Sequence, residues 1–369
     1  MARLFALIGL LVLLAGCGGD SSDDAARTTA TSVEPPSAAS AAIDADDLAG
    51  VKSYLTDHTE DLTGATEDFA ALAEEYGTLA KRVDYDYARL LTEHREEVAR
   101  ILADAKESWT QANPYYEQVE GIVAGTPSLA EYDIILDAGS SKAEDPESAV
   151  PFDLTLSDGR VLEQPGNLFN LTEGMLWGTR RDLTADVDAD LDADGNVEFG
   201  EALPDALILA SAAEAFPRYA AELDTEAQAW EPTASDAFTS LVVMVPTMSE
   251  YFGQWKESRF VQGESAEGAS FNVVSRLSDI NDIISGLEVV YEGVEPAIAE
   301  ADEAGAEQTG TELEELGEFI ADLRRQEEDG RRFTPEQADQ LGSDAQARGE
   351  AVAGQVSQHA AKLGIEIQQ

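Results

Sequence analysis

Apolar residues recur at intervals of three and four along most of the chain after residue 45, which is the period of a helix with one buried face. One such stripe runs from Tyr87 to Trp109, and another runs from Val273 to Val294. Long stripes of this kind are typical of antiparallel bundles, and the stretch 46–369 is long for a single four-helix bundle. We therefore predict an all-α domain over 46–369, built as two packed antiparallel helical bundles.

Local signals interrupt this pattern at a few places. Near 138–166 the period shortens to alternation and Asp158-Gly159 offers a turn, which predicts a small hairpin or irregular excursion. Pro246 is expected to kink or end its helix, and Thr334 before a proline marks the start of the last helix. His94 lies on the first apolar stripe, so we expect a packed core histidine there and not a ligand.

The N-terminus has the composition of a secretory signal. Arg3 precedes an apolar run that is shorter than the roughly 20 residues needed to cross a bilayer. The run ends in Leu14-Ala15-Gly16-Cys17, which resembles a lipobox, and Cys17 is the only cysteine. We predict a lipoprotein signal peptide at 1–17, lipidation of Cys17 and a flexible acidic, Ser- and Pro-containing tether at 18–45. The alternative is a cleaved signal with an unmodified cysteine. Either prediction places the mature chain outside the cytoplasm, and lipidation would anchor it to the cell membrane.

The net charge excludes some partners. The chain has 74 acidic and 23 basic residues and a formal charge of -51, which argues against binding nucleic acid or adsorbing to anionic lipid. The acidic residues are spread along the chain, as in proteins adapted to high salt, although cation buffering is an open alternative. A hydrophobic content of 43% is sufficient for a folded core.

Residues 190–201 match the EF-hand calcium loop. Oxygen ligands stand at the required spacing, Gly195 permits the sharp turn, and the last position is a glutamate. The candidate calcium ligands are Asp190, Asp192, Asp194, Asn196, Glu198 and Glu201. We expect helix-loop-helix geometry, with helical sequence at 176–183 and 202–213, and a calcium ion that acts as a structural staple. The alternative is an acidic, solvated loop.

The segment Phe169 to Trp177 resembles the signature of the imelysin-like family, Gly-x-His-x-x-Glu followed by Gly-Leu-Trp. Leu168 and Asn170 stand at the Gly and His positions, and Glu173 at the Glu position. Further segments resemble family segments in the same order, so the resemblance covers most of 48–369: Tyr116–Glu120, Leu136-Asp137, Gln254–Ser258, Leu277–Leu287 and Ala361–Ile365. The family includes the helical domain of the EfeO and EfeM iron-uptake proteins.

The resemblance implies two helical bundles with a metal site in a cleft between helices. Carried over position by position, the ligands would be Glu120, Asp137, Asn170 and Glu173. Because Asn170 replaces the usual histidine, the set is all oxygen and suits ferric iron or another hard divalent or trivalent cation. The open alternatives are a site that has lost its metal and a Glu173 that only holds helices together. Asn170 also begins a glycosylation sequon, which a buried helical position would not use.

The function implied by the resemblance is capture of iron by a lipid-anchored protein that serves an uptake permease, with no reaction of its own. The alternative is a cell-surface module that binds acidic polymer through bound cations. A hydrolase would need an activated nucleophile or water, and His58, His94 and His359 form no recognisable pairing in the sequence.

Overall fold

The domain is all-α, as the apolar periodicity predicts. The computed structural model describes residues 43–44, 46–266 and 268–368, which belong to the unit Ser40–Gln369. Its helices are α1 (Ala49–Arg82), α2 (Tyr87–Gly125), α3 (Ala130–Asp133), α4 (Leu168–Leu176), α5 (Ala206–Ala229), α6 (Ala234–Met244), α7 (Met248–Glu257), α8 (Arg259–Gln262), α9 (Arg276–Glu328) and α10 (Pro335–Leu363).

The long helix α2 takes part in two groups of helices. It packs against α1, which also packs against α5, and this forms the first group. Its C-terminal part packs against α6 and α9, which with α7 and α10 form the second group. Buried apolar side chains from both groups make one continuous core. The residues of α2 near its C-terminal end therefore lie where the two groups meet.

Helices α2 and α9 cross at very short range. A side chain on Gly286 of α9 would overlap the carbonyl oxygen of Gln118 on α2, and one on Gly121 would overlap Leu287. Glycine at these positions lets the two backbones approach, as small residues do wherever helices cross closely. The crossing residues Gln118 and Gly121 directly follow the acidic residues Glu117 and Glu120 in α2.

Helix α9 folds back on itself. Asp302 has non-helical backbone angles (φ −159°, ψ 79°), and the two arms on either side of it run antiparallel. The Tyr291 hydroxyl of the first arm donates to the Ala306 carbonyl of the second at 2.7 Å. The stripe that predicted this helix is confirmed, except that Val273 precedes its first residue, Arg276.

The excursion predicted near 138–166 is confirmed as a small hairpin. Strand β1 (Leu154–Thr155) pairs with β2 (Val161–Leu162) in antiparallel register. Before it, Ile134–Ala138 forms a single turn of π-helix that continues α3. π-Turns within helices frequently occur at functional sites, because they redirect side chains locally.

The prediction of helix-loop-helix geometry around 190–201 was wrong. The loop joins two antiparallel strands, β3 (Thr184–Asp188) and β4 (Ala202–Pro204). The backbone leaves the helical path at Gly178 (φ 69°), soon after α4 ends. Pro204 ends β4, and the Asp205 side chain accepts hydrogen bonds from the first N–H groups of α5, which fixes the start of that helix after the strand.

Other local predictions had mixed outcomes. Helix α6 ends at Met244 and a short 3-10 turn follows at Val245–Thr247, so the break at Pro246 is confirmed. The last helix begins after Thr334, with a capping box to Gln337. The core position expected for His94 was wrong, because α2 is kinked there (φ −137°) and a quarter of the side chain is exposed.

The predicted signal peptide at 1–17, which includes Cys17, and almost all of the predicted tether at 18–45 lie outside the described residues. Within the described part of the chain, no helix combines the length and the apolarity needed to cross a bilayer.

Candidate metal centre

Five helical elements converge on one cleft of about 470 Å³. They are α2, the turn formed by α3 and the π-helix, α4, α7 and α9. The acidic, amide and aromatic side chains that reach the cleft include Glu120, Asp133, Asp137, Asn170, Tyr251 and Gln254. An enclosed space lined by convergent polar groups is the usual form of a ligand site.

Three carboxylates meet at the cleft, and two of them, Glu120 and Asp137, line it. Glu117, Glu120 and Asp137 each offer one oxygen, and these oxygens lie within 4.8 Å of one another. Glu117 and Glu120 are one turn apart on α2, so both face the same direction. Asp137 is fixed by its backbone, since the Asn167 side chain donates to the carbonyl oxygens of both Asp137 and Gly139. Such spacing would allow all three carboxylates to bind one ion.

Glu120 carries a buried oxygen without a hydrogen-bond partner in the described structure. Its Oε1 accepts from the Tyr251 hydroxyl at 2.7 Å, but its Oε2 accepts no hydrogen bond. The residue is only 4% exposed. An unpartnered buried carboxylate oxygen is costly, and on the wall of a cleft a proton, a water or a cation would satisfy it.

Arg276 lies among these acids and is also buried. Its Nη1 donates to Glu117 Oε2 at 3.1 Å and to Asp279 Oδ2 at 3.3 Å. The guanidinium is also 3.6 Å from Asp137 and 3.9 Å from Glu120. We call these five residues, Arg276 with Glu117, Glu120, Asp137 and Asp279, the Arg276 cluster. One cation faces four acids there, which leaves the cluster short of positive charge.

The rest of the Arg276 side chain is held on all sides. Its Nε donates to Gln254 Oε1 at 2.9 Å. The guanidinium stacks on the ring of Tyr251 at 4.4 Å and on that of Phe271 at 4.5 Å. Cation–π contacts of this kind fix the plane of the group as well as stabilise its charge. Arg276 is thus a rigid part of the site.

Burial is the main influence on the acids of the cluster. It raises the pKa of Asp137 to about 7, although the Arg276 guanidinium lowers it. It raises the pKa of Asp279 to about 6, against the guanidinium and the Asn113 amide, which donates to Asp279 Oδ1 at 3.1 Å. The pKa of Glu117 is raised well above its usual range, first by burial and then by Asp279 and Asp137. A cation that replaced the protons would therefore be favoured.

A neighbouring acid extends the negative charge of the cleft. Asp133 accepts from the Tyr116 hydroxyl at 2.7 Å and lines the same space. Burial, with the charges of Glu120 and Asp137, raises its pKa well above the usual range.

The four ligands implied by the family resemblance do not all lie in one place. Glu120 and Asp137 come together, and Asn170 lines the same cleft. Glu173 is buried on α4, but its Oε1 accepts from the backbone N–H of Asn272 at 2.8 Å and it does not line the cleft. Burial raises the pKa of Glu173 to about 8, although the backbone hydrogen bonds from Asn272 and Phe271 lower it. In this arrangement Glu173 holds the segment before α9 against α4.

Sequence reasoning missed Glu117, Asp279, Arg276 and Tyr251. A signal was present, because Arg276 and Asp279 alternate with Leu277 and Ile280 at buried positions of α9. Charged residues at core positions of a helix are rarely tolerated without partners. The partners, however, lie about 140 to 160 positions away in the sequence, where no local pattern connects them.

The 190–201 loop is a second acidic cluster, with a different environment. Asp190, Asp192 and Asp194 each offer an oxygen within 4.8 Å of the others, and they lie at or near the surface. Both Asp190 and Asp192 accept from the backbone N–H of Asp194 at 3.1 Å. Glu201 is 8% exposed, and its two oxygens accept from the backbone N–H groups of Leu191 and Glu198 at 2.7 Å. The loop is thus held in a closed form by its own backbone.

Basic side chains fix this loop to α2. Lys106 Nζ donates to the Gly200 carbonyl at 2.6 Å, and Arg95 Nη1 donates to the Asp190 carbonyl at 2.5 Å. Burial lowers the pKa of Lys106, although the charge of Glu201 raises it.

The three histidines lie away from the cleft. His58 contacts Gln118 and the Tyr54 carbonyl, His94 lies 3.4 Å from Glu97, and His359 contacts Thr309. The arrangement is therefore that of a helical protein with a buried, oxygen-lined cleft.

The chain belongs to the imelysin family. The family model described as imelysin, peptidase M75, matches residues 47–358, which include every residue of the cleft and of the 190–201 loop. No curated protein matches the chain. One solved structure, described as a "putative iron-regulated protein A precursor" from Parabacteroides distasonis, is 14% identical, with 85% of this chain and 95% of that chain covered and a TM-score of 0.45. A likeness at that level carries no argument about function.

Proposed function

We propose that this protein captures iron outside the cytoplasm and presents it to an uptake permease while it is held to the membrane by a lipid on Cys17. The observation that carries the proposal is the trio of Glu117, Glu120 and Asp137, with a buried oxygen of Glu120 that accepts no hydrogen bond. Membership of the imelysin family supports the link to iron.

The chemistry of the cleft favours a hard cation. Its converging groups are carboxylates, with amide and hydroxyl oxygens beside them, and such donors suit ferric iron better than a soft or imidazole-preferring metal. The excess of negative charge in the Arg276 cluster favours a high charge on the ion. Asn170, in place of histidine, is consistent with this all-oxygen set.

The burial of these ligands favours ion capture over polymer binding. The cluster acids are at most 6% exposed, so a polysaccharide could not reach an ion held among them. The proposed role is binding without catalysis, because release of the ion to a partner requires no covalent step. The peptidase label of the family model names a class, and we assign no residue to such a reaction.

The test is a titration of the mature chain with ferric iron, supplied as a weak chelate at high salt with calcium present. We expect one tight site. Glu120→Gln should weaken it by about 100-fold or more, since even the loss of an outer partner typically costs 10- to 100-fold. The matched control is Glu96→Gln, an exposed glutamate on the same helix, which should bind like the parent. Equal affinity in all three proteins would place the ion elsewhere.

Delivery to a permease needs its own test. Cells that carry the Glu120→Gln chain should take up less labelled iron than cells that carry the parent or the Glu96→Gln chain. Cys17→Ala should lower uptake without changing the affinity of the purified protein, because it would remove the anchor alone. Uptake that depends on neither substitution would contradict the proposed role.

We further propose that the 190–201 loop binds calcium as a structural brace. The converging oxygens of Asp190, Asp192 and Asp194 support this, together with the match of the loop to the EF-hand pattern. The strand pairing beside the loop departs from EF-hand geometry, so an affinity in the range of extracellular modules, about 10⁻⁴–10⁻³ M, is expected.

The calcium proposal is tested by calorimetry with Glu201→Gln. We expect a clear loss of affinity relative to Asp186→Asn, an exposed acid of β3 outside the loop. An unchanged affinity in the Glu201 variant would remove this residue from the site.

A further inference from the structure

Arg276 occupies a position that is unusual for a structural arginine. Its side chain is 2% exposed, and four carboxylates of three different elements lie within 4 Å of its guanidinium. A structural ion pair requires one or two acids. Four acids around one base leave three uncompensated negative charges when all of them are ionised.

The acids divide into two sets around the guanidinium. Glu117 and Asp279 accept hydrogen bonds from Nη1 at 3.1 and 3.3 Å. Asp137 lies 3.6 Å from Nη2 and Glu120 lies 3.9 Å from Nη1, both beyond good hydrogen-bond distance. The first set is filled by the arginine. The second set, with the unpartnered oxygen of Glu120, faces the cleft.

The filled set and the neighbouring Gln254 present three oxygens to the guanidinium. Glu117 Oε2, Asp279 Oδ2 and Gln254 Oε1 all point at the guanidinium, and each is an oxygen of the kind that binds hard cations. The Asn113 amide holds the other oxygen of Asp279, which keeps Oδ2 directed inward.

We propose that the Arg276 guanidinium stands in the place of a second cation, so that the cleft admits one ion and not two. The inference rests on the proposed function for the first ion, held by Glu117, Glu120 and Asp137. Replacing the arginine by a neutral side chain opens a second cation site between Glu117 and Asp279. With the arginine present, full ionisation of the four acids leaves three negative charges, which one trivalent ion would neutralise.

The experiment counts bound Mn²⁺ by native mass spectrometry and equilibrium dialysis. All proteins carry Asp190→Asn, Asp192→Asn and Glu201→Gln, so that the loop does not contribute ions. Arg276→Met and Arg276→Gln are the test variants, because both side chains have a length similar to that of arginine without its charge. Arg276→Lys keeps the charge. Arg218→Met removes an exposed arginine of α5, and controls for the change in net charge.

We expect one Mn²⁺ in the parent, the lysine variant and the Arg218 variant, and two in Arg276→Met or Arg276→Gln. Electron paramagnetic resonance should show coupled Mn²⁺ pairs only in these two, because the two ions would share Glu117. A role for Arg276 that is only structural would lower affinity and leave the count at one, and that outcome overturns the inference.

The Arg276→Met and Arg276→Gln chains are also refolded in the presence of Mn²⁺, because without the guanidinium they could require a bound cation in order to fold. Chains that fail to fold even then would show that an ion cannot replace the guanidinium, and would also overturn the inference. If the parent protein binds no ion and Arg276→Met or Arg276→Gln binds one, the result would support the inference and contradict the proposed function. No binding in either would contradict both.

Discussion

The Arg276 cluster and the 190–201 loop are both built from acidic side chains, yet they neutralise those side chains in different ways. In the cluster a buried guanidinium lies among the carboxylates. In the loop the three aspartates lie at or near the surface, and Asp190 and Asp192 accept hydrogen bonds from backbone amides of the loop. Two groups of acidic residues in one chain therefore differ in burial and in the positive groups beside them, and acidic composition alone predicts neither property.

The largest expected effect separates the two sites. Asp137→Asn should weaken ferric binding by about 100-fold or more and leave calcium binding unchanged, because Asp137 belongs only to the cluster. Asp192→Asn should do the reverse, with a large loss of calcium affinity and unaltered iron. Calorimetry on both variants with both ions gives a direct check. If both variants lose the same amount of affinity for the same ion, the two groups of acids form a single site.

A second effect concerns stability, with a sign that depends on pH. Burial raises the pKa of Asp137 to about 7, above its ordinary value of 3.8, so the folded chain binds its proton more tightly than the unfolded chain does. Ionised Asp137 therefore destabilises the metal-free fold as the pH rises through this window.

Asp137→Asn should consequently raise the free energy of unfolding at pH 8 by on the order of 1 kcal/mol, with a smaller gain at pH 5. Urea unfolding of the metal-free proteins at both pH values measures it. A gain that is larger at pH 5 would contradict the raised pKa. Such a gain in stability with a loss of binding would mark Asp137 as a residue kept for its ligand role.

Salt should sharpen the contrast further. The loop aspartates lie at the protein surface, so mobile ions screen them, whereas the cluster acids are enclosed. Calcium affinity should therefore fall severalfold between low and high sodium chloride, and ferric affinity should change less. Parallel titrations at a series of salt concentrations test this. A steeper fall for iron would mean that the cleft is open to solvent ions.

The smallest expected effect concerns the hydrogen bond that holds the 190–201 loop to α2. Lys106→Met removes the hydrogen bond to the Gly200 carbonyl, which should speed amide hydrogen exchange in the loop and cost about 1 kcal/mol or less. Lys81→Met, at an exposed position of α1, is the matched control. Exchange rates that match in both variants would show that Lys106 does not hold the loop.

Much of the fold was predictable because its signals are local. Helix periodicity, Asp158-Gly159, Pro246 and the Thr334 cap each act within a few residues, and each prediction is confirmed. The pattern around 190–201 misled because the spacing of oxygen ligands describes the loop and not its flanks. The segments on either side of the loop form paired strands between residues 184 and 204, and the spacing of ligands does not predict that pairing.

The site was predictable only in part. Family resemblance located Glu120 and Asp137, which do meet, and Asn170, which borders their cleft. It did not locate Arg276, because the acids that surround this residue lie on α2 and on the π-turn, far away in the sequence. Charge at a buried position of α9 was the one local sign of it.

The glycine crossing of α2 and α9 has a consequence for engineering. One helix carries Glu117 and Glu120, the other carries Arg276 and Asp279, and their separation is set by the contact of two backbones at Gly286. A backbone contact cannot relax by rotating a side chain. Substituting alanine at this position would therefore act as a spacer that widens the whole cluster at once. Cavity size could in this way be tuned without touching a single ligand, and ions of different radius could be tried against one fixed set of oxygens.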